Sequence, residues 1–508
     1  MNRCNRRWKT AFLLACALAL ASGCASFVGK SALEWSVQID GGCGPGSMSG
    51  SVPNVANSAV YVGSSDGAVY ALDVSSGAVR WRFQTGVGLP TGVQRIEVPS
   101  GTSPAEMAGR AIAEAERGSA RGRSQITASP VFSENTVFVG AWDKMLYALD
   151  ATTGSPRWVF DAGLPVTEKA SVQAGLVIFA TDGAGARNAG GDGRVYALEA
   201  SSGSRVWVLD TLPDVGSASK WPSHQPVIKD GVGYVVNWNA SPYVKDIADP
   251  ARAYVYAIDV KSGESRWSRK FEGAWPSPPS IATDHFLLTT SPREDIGVVE
   301  LRALDKSTGR EVWRYKMAGG RQYTFGTRSR NESQAPMLVA NDLVLLSTDS
   351  DLVGVDVKTG KELWRLSEPF RTEPINQVHL GSLVYVVTGE TLAPKLGHLH
   401  GIDPRTGKIV WSTRMLSRNR IHAVIDDAIF YMTSMLRNSL IAIDGVNGRE
   451  LGTVWTSSPI GSESYTICSG PVRHGRQLFI STASQSFAGG RPLRGYLYSV
   501  AAPVATPR

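Results

Sequence analysis

Tyr70 to Trp81 reads Y-A-L-D-V-S-S-G-A-V-R-W, and the chain keeps returning to it. The stretch comes back as Y-A-L-D-A-T-T-G-S-P-R-W at Tyr147 to Trp158, as Y-A-L-E-A-S-S-G-S-R-V-W at Tyr196 to Trp207, and as Y-A-I-D-V-K-S-G-E-S-R-W at Tyr256 to Trp267. Looser copies end at Trp313, Trp364 and Trp411, and a last one, Asp444 to Trp455, carries three extra residues after Gly448. Self-similarity at a spacing of roughly 40–50 residues signals a repeat architecture.

Each copy reads as a hairpin. An apolar segment enters a turn at the aspartate, whose carboxylate, with the following Ser or Thr, satisfies nearby backbone N–H groups, while the glycine accepts positive φ. A second strand then presents the tryptophan. Upstream of the copies lies a further strand (Ala59 to Gly63, Thr136 to Gly140, Leu343 to Ser347), and before it another with a proline (Ala128 to Phe132, Gln225 to Ile228, Ala335 to Val339). Four antiparallel strands per unit, repeated, predict an all-β propeller.

The pattern A-x-D-x-x-T/S-G-x-x-x-W resembles the tryptophan-docking repeat of the pyrroloquinoline-quinone (PQQ)-like propeller superfamily. That superfamily holds quinoprotein dehydrogenases and non-enzymatic lipoproteins such as the BamB-like propeller subunit of the outer-membrane β-barrel assembly machinery. The resemblance spans residues 33–501 and speaks to fold more than to function.

Of 508 residues, 19% are charged and 43% apolar, with 53 glycines, as suits an ordered, turn-rich chain. The formal net charge is +7, but Arg3, Arg6, Arg7 and Lys9 lie in a segment expected to be removed, which leaves +3 and argues against nucleic acid as a partner.

Residues 1–23 read as a signal peptide, with a basic start and an apolar run from Ala11 to Ala21 too short to span a bilayer. Leu20-Ala21-Ser22-Gly23-Cys24 resembles a lipobox, although Ala21 stands where leucine is commoner. The expectation is a lipidated Cys24, a linker over 24–32 and an outer-membrane location facing the periplasm. The alternative is an ordinary signal cut near Ala25.

Leu33 to Ile39 holds Trp35 and reads as the closing strand of a unit whose other strands lie near the C-terminus, so the ring is expected to close by joining the two ends. Residues 502–508 form a tail. Cys43 and Cys468 fall near that junction and form a candidate disulfide. Eight full units plus the split one give nine, yet the superfamily usually closes with eight; eight blades are expected, with nine as the alternative.

The repeat tryptophans (Trp35, Trp81, Trp158, Trp207, Trp267, Trp313, Trp364, Trp411 and Trp455) read as packing between blades. Trp142, Trp221, Trp238 and Trp275 lie off the motif and are candidate interface residues. Residues 88–124 are an insertion in which Ser103-Pro104-Ala105-Glu106 opens a predicted helix running to Arg117. Arg330, within Arg328-Ser329-Arg330-Asn331-Glu332-Ser333, matches by resemblance the arginine with which the BamB-like family meets its barrel-forming partner. Thr327 and Ser329 replace that family's leucines.

No catalytic constellation stands out. The chain has no adjacent cysteines, no haem-attachment motif and no nucleophile elbow. His398 and His400 sit on one face of a predicted strand but lack a third ligand. No catalytic, cofactor or metal residue is assigned. The expected function is a lipid-anchored, protein-binding scaffold with outer-membrane or periplasmic protein partners, engaged in outer-membrane protein assembly. The alternatives are a PQQ/Ca²⁺-dependent quinoprotein dehydrogenase and a polysaccharide or cell-wall binding module.

Overall fold

The computed structural model describes residues 33–40, 51–86, 95–96, 125–181, 193–210, 226–238, 252–272, 274–276, 279–282, 284–292, 299–317, 337–340, 342–348, 350–368, 370, 375–389, 396–416, 420–433, 439–456, 465–467, 469–484 and 494–502. These residues form nine sheets in a propeller, antiparallel except for the parallel edge strand Arg95–Ile96. Blade 1 shows the plan: Asn54–Ala56, Ala59–Gly63, Ala68–Asp73 and Val79–Gln84 pair in chain order. Blades 2 to 8 repeat it, with fourth strands Pro156–Asp161, Arg205–Asp210, Ser265–Glu272, Glu311–Met317, Glu362–Leu366, Ile409–Leu416 and Glu450–Thr456. First strands start just past their prolines, at Val131, Val227 and Leu338, because proline has no N–H to give the ladder.

Blade 9 is split. Gln477–Ser484 and Arg494–Ala501 come from the end of the chain, and Leu33–Asp40 pairs antiparallel with the latter, Leu33 opposite Val500 and Asp40 opposite Arg494. The expected count of eight blades is therefore corrected to nine. Every unit read from the sequence has its own complete ladder; the preference for eight came from the habit of the superfamily, not from any irregular unit.

The core lies between blades. Along Ala59–Gly63, Ala59 and Tyr61 pack toward blade 2, whereas Val60 and Val62 pack toward blade 9. Alternate side chains point to opposite faces and both faces are covered, so the second and third strands are continuous apolar runs. One apolar cluster joins each neighbouring pair, including blade 8 with blade 9 and blade 9 with blade 1. Fourth strands instead expose apolar side chains such as Val79, Val312, Leu363 and Val410.

Candidate functional site

The repeat stretch builds the junctions. In blade 1 the Asp73 carboxylate accepts the N–H groups of Ser75 and Ser76, each at 3.0 Å, through Oδ1. Its Oδ2 accepts Arg80 Nη2 at 2.7 Å. The Arg80 bond, then the Ser75 hydroxyl, hold this carboxyl below the usual carboxylate range. Asp305 is held at about 2 by the hydroxyls of Ser307 and Thr308. Gly77 has φ 71° and lies under the Trp35 indole: a Cβ there would stand 2.6 Å from the ring. The Trp35 N–H donates to the Val74 carbonyl at 2.9 Å. The same lock recurs from Trp81 to Ala151, Trp158 to Ala200, Trp207 to Val260, Trp267 to Lys306, Trp313 to Val357, Trp364 to Pro404 and Trp411 to Gly445.

Trp455 departs from this. In blades 1 to 5 the motif alanine stands opposite the tryptophan (Ala71 opposite Trp81, for example), but in blade 8 Ala442 stands opposite Gly452, and Trp455 faces Leu440. The three extra residues add a second bulge to this ladder, so Gly452 holds the docking register. Trp455 is still buried and packs edge-on against Tyr498.

The propeller has two unlike ends. Connections between first and second strands and between third and fourth strands are short turns and form one end, the turn face. Connections between second and third strands and from each blade to the next form the other end. There they include Gln84 to Val131, Asp210 to Val227 and Met317 to Leu338. This variable face is the candidate functional site, because loops on a rigid scaffold are where binding residues collect.

On the variable face, the turn Ala141 to Lys144 of blade 2 holds both ends of the predicted insertion. The Gly86 N–H donates to Tyr147 Oη at 3.2 Å, and Tyr147 in turn donates to Asp143 Oδ2 at 2.6 Å. At the far end the Trp142 N–H donates to the Gln125 carbonyl at 3.0 Å, and its indole N–H donates to Thr127 Oγ1 at 3.2 Å. Burial pushes the Asp143 carboxyl up against the pull of the Tyr147 bond. Blade 1 has the related Tyr70–Asp66 bond, with Arg82 replacing the distant N–H donor. Within the insertion, Arg95–Ile96 adds a parallel strand to the edge of Pro156–Asp161; the predicted helix over 103–117 lies outside the described residues.

Trp142 is thus half-buried and engaged in holding its neighbours. Trp238 and Trp275 lie in strands Val232–Trp238 and Ala274–Pro276, one in the second strand of blade 4 and one beside blade 5. Trp221, Arg330, Cys24, Cys43 and Cys468 lie outside the described residues. His398 and His400 share a strand face, their rings 5.6 Å apart, and His400 Nδ1 meets Ser412 Oγ at 2.8 Å. Among the described residues no group of three or more His, Cys, Asp or Glu side chains is placed to hold a metal ion. The chain has no adjacent cysteine pair.

Treating all turn copies alike missed one feature of the turn face. The residue after the turn glycine is Ala78, Ser155, Ser204 and Glu264 in blades 1 to 4, but Arg310, Lys361, Lys408 and Arg449 in blades 5 to 8. Aligning the copies by their glycines would have revealed it.

A family described as outer membrane protein assembly factor BamB matches residues 30–97, 92–235 and 191–393. The chain is 26% identical over 200 residues to outer membrane protein assembly factor BamB of Moranella endobia (strain PCIT), a match over 39% of this chain and 48% of that protein. The chain thus spans about half the length of this curated relative. Among solved structures, quinohemoprotein alcohol dehydrogenase ADHIIG from Pseudomonas putida HK5 superposes with TM-score 0.53 at 17% identity, covering 95% of this chain and 78% of that one. The quinohemoprotein alcohol dehydrogenase of Comamonas testosteroni gives TM-score 0.50 at 17% identity, over 94% and 77%. At this identity the likeness is one of fold alone.

Proposed function

Because the chain belongs to the PQQ-like repeat family described as outer membrane protein assembly factor BamB, we propose that it is a protein-binding scaffold on the periplasmic side of the outer membrane, working in outer-membrane protein assembly. The observation that carries this reading is the family match running from residue 30 to residue 393. Cys24 is the lipid anchor, and strand Leu33–Asp40 is the clasp that closes the ring at blade 9. A ring of rigid blades supplies two kinds of surface to partners: the long connections of the variable face, with Trp221, Trp238, Trp275 and Arg330 as contact candidates, and the free edges of the fourth strands. An extended segment adds to such an edge through main-chain hydrogen bonds, as Arg95–Ile96 does to blade 2. Cys43 and Cys468 are the candidate disulfide across the clasp.

The test is in-cell crosslinking followed by capture from membrane fractions. Recovery of the barrel-assembly subunits, weakened by Arg330→Ala or by deleting 88–124, is the expected result. Their absence from the captured material sinks the assembly role. Metabolic labelling with palmitate, lost in Cys24→Ser, checks the anchor separately.

A further inference from the structure

Among the described residues, blade 2 is the one blade whose outer strand carries a further strand. Arg95 pairs with Val159 and Ile96 with Phe160, in the parallel sense. The strand beneath is unlike its counterparts. Val159 and Phe160, the two residues after the repeat tryptophan, are each 1% exposed. In blades 1 and 3 to 7 the first of these positions is exposed (Arg82, Val208, Ser268, Arg314, Arg365 and Ser412), and none of those blades buries the second. Arg82, Arg314 and Arg365 also put a charge on the edge, which deters another strand from adding. Trp158-Val159-Phe160 carries no charge. Left bare, such an apolar edge is a template for any extended segment, and Arg95–Ile96 covers it like a strap.

The cover is slight, and it is tethered. It pairs with two of the six residues of Pro156–Asp161, and parallel pairing is a little less stable per residue than antiparallel. Both ends of the insertion are held to blade 2 independently of the strap, Gly86 on Tyr147, and Gln125 with Thr127 on Trp142. The strap can therefore leave the edge without the insertion leaving the ring, and its return is a closure within one molecule.

We propose that the outer edge of blade 2 is a strand-accepting site, that Arg95–Ile96 is its resident occupant, and that the partner it exchanges for is an extended peptide segment with apolar side chains at alternate positions. Such a segment pairs along the whole six-residue edge, where the strap pairs with two residues, and so displaces it. Alternate side chains of an added strand fall on one face of the sheet. One row thus continues the apolar surface of Trp158 and Phe160, and the other points away. The inference deepens the scaffold reading above and rests on its strand-edge contacts.

The test uses the purified full-length protein and a fluorescently labelled synthetic peptide of alternating valine and threonine with lysines at its ends. Binding is read by fluorescence anisotropy. Ile96→Pro removes an N–H from the strap and is expected to tighten peptide binding roughly three- to tenfold, the worth of one backbone hydrogen bond. Hydrogen exchange of residues 156–161 is expected to quicken in this variant and to slow again when peptide is added. Arg95→Gly/Ile96→Gly, which loosens the strap through backbone freedom alone, should act in the same direction and guards against a defect peculiar to proline. Equal affinity in the unaltered protein and both variants, or no binding to any of them, overturns the exchange and leaves the strap a permanent cover. Tighter binding without renewed protection of 156–161 overturns the placement at blade 2. The assembly role fails separately, by absence of the barrel-assembly subunits from the in-cell capture while peptide exchange persists.

Discussion

Eight junctions of this propeller lock one way and the ninth, between blades 8 and 9, locks another. At the eight, an indole lies on a turn glycine and donates to the carbonyl beside the turn aspartate, or beside Glu199 in blade 3. Blade 9 offers no such turn, because its third strand ends at Ala501 and its fourth, Leu33–Asp40, comes from the other end of the chain. Trp455 has nothing of that kind to dock on. Its ladder has slipped, and its ring packs edge-on against Tyr498. The difference teaches that the receiving turn makes the lock. A tryptophan opposite a severed turn is free to change register and remain buried.

That comparison can be broken experimentally. The largest effect is expected at Trp158, 2% exposed and bonded to Ala200: Trp158→Ala should cost about 3–5 kcal/mol, read as a fall in the urea midpoint. A loss below about 1 kcal/mol would show that the docked indole is not a keystone. Next comes Gly203→Ala. At φ 73° a Cβ would sit 2.6 Å from the Trp158 ring, so overpacking and backbone strain together should cost roughly 2–4 kcal/mol. Smaller still is Trp455→Phe, which keeps a buried aromatic ring in place and breaks no docking bond, at about 1 kcal/mol.

The smallest individual effects lie in solvent, at the turn aspartates. Asp73, Asp150, Asp259, Asp305, Asp356 and Asp403 are all held below the usual carboxylate range, Asp305 at about 2. A lowered native pKa means that the native state binds fewer protons than the unfolded chain. The stability gained is complete above about pH 4–5 and drains away as pH falls through the native values. Denaturation midpoints should therefore drop between about pH 4 and pH 2, with a shallower slope in Asp305→Asn. An unchanged slope would remove the turn carboxylates from the account of acid stability.

Much of this was legible in the sequence. Strands Ala59–Gly63, Thr136–Gly140 and Leu343–Ser347 fall where alternation and turn residues place them. Trp81 and its counterparts were readable as packing residues because the same spacing recurs around them. The candidate site was far less legible. Trp142 reads as an exposed anchor by its distance from the motif, yet Thr127 and Gln125 engage it across a connection whose path no local pattern encodes.

Local chemistry explains what the sequence determined by itself. An Asp-x-Ser/Thr-Thr/Ser-Gly turn satisfies its own backbone and needs no distant partner, so the hairpin, its glycine and the strand alternation are written within a dozen residues. The tertiary structure decided the rest: nine blades rather than eight, the slipped register of Trp455, and the pinning of the insertion by Trp142 and Tyr147. These depend on how each sheet packs against the next and on where the two chain ends meet, which are properties of contacts tens to hundreds of residues apart, such as 42 at Trp158–Ala200 and 443 at Gln477–Glu34.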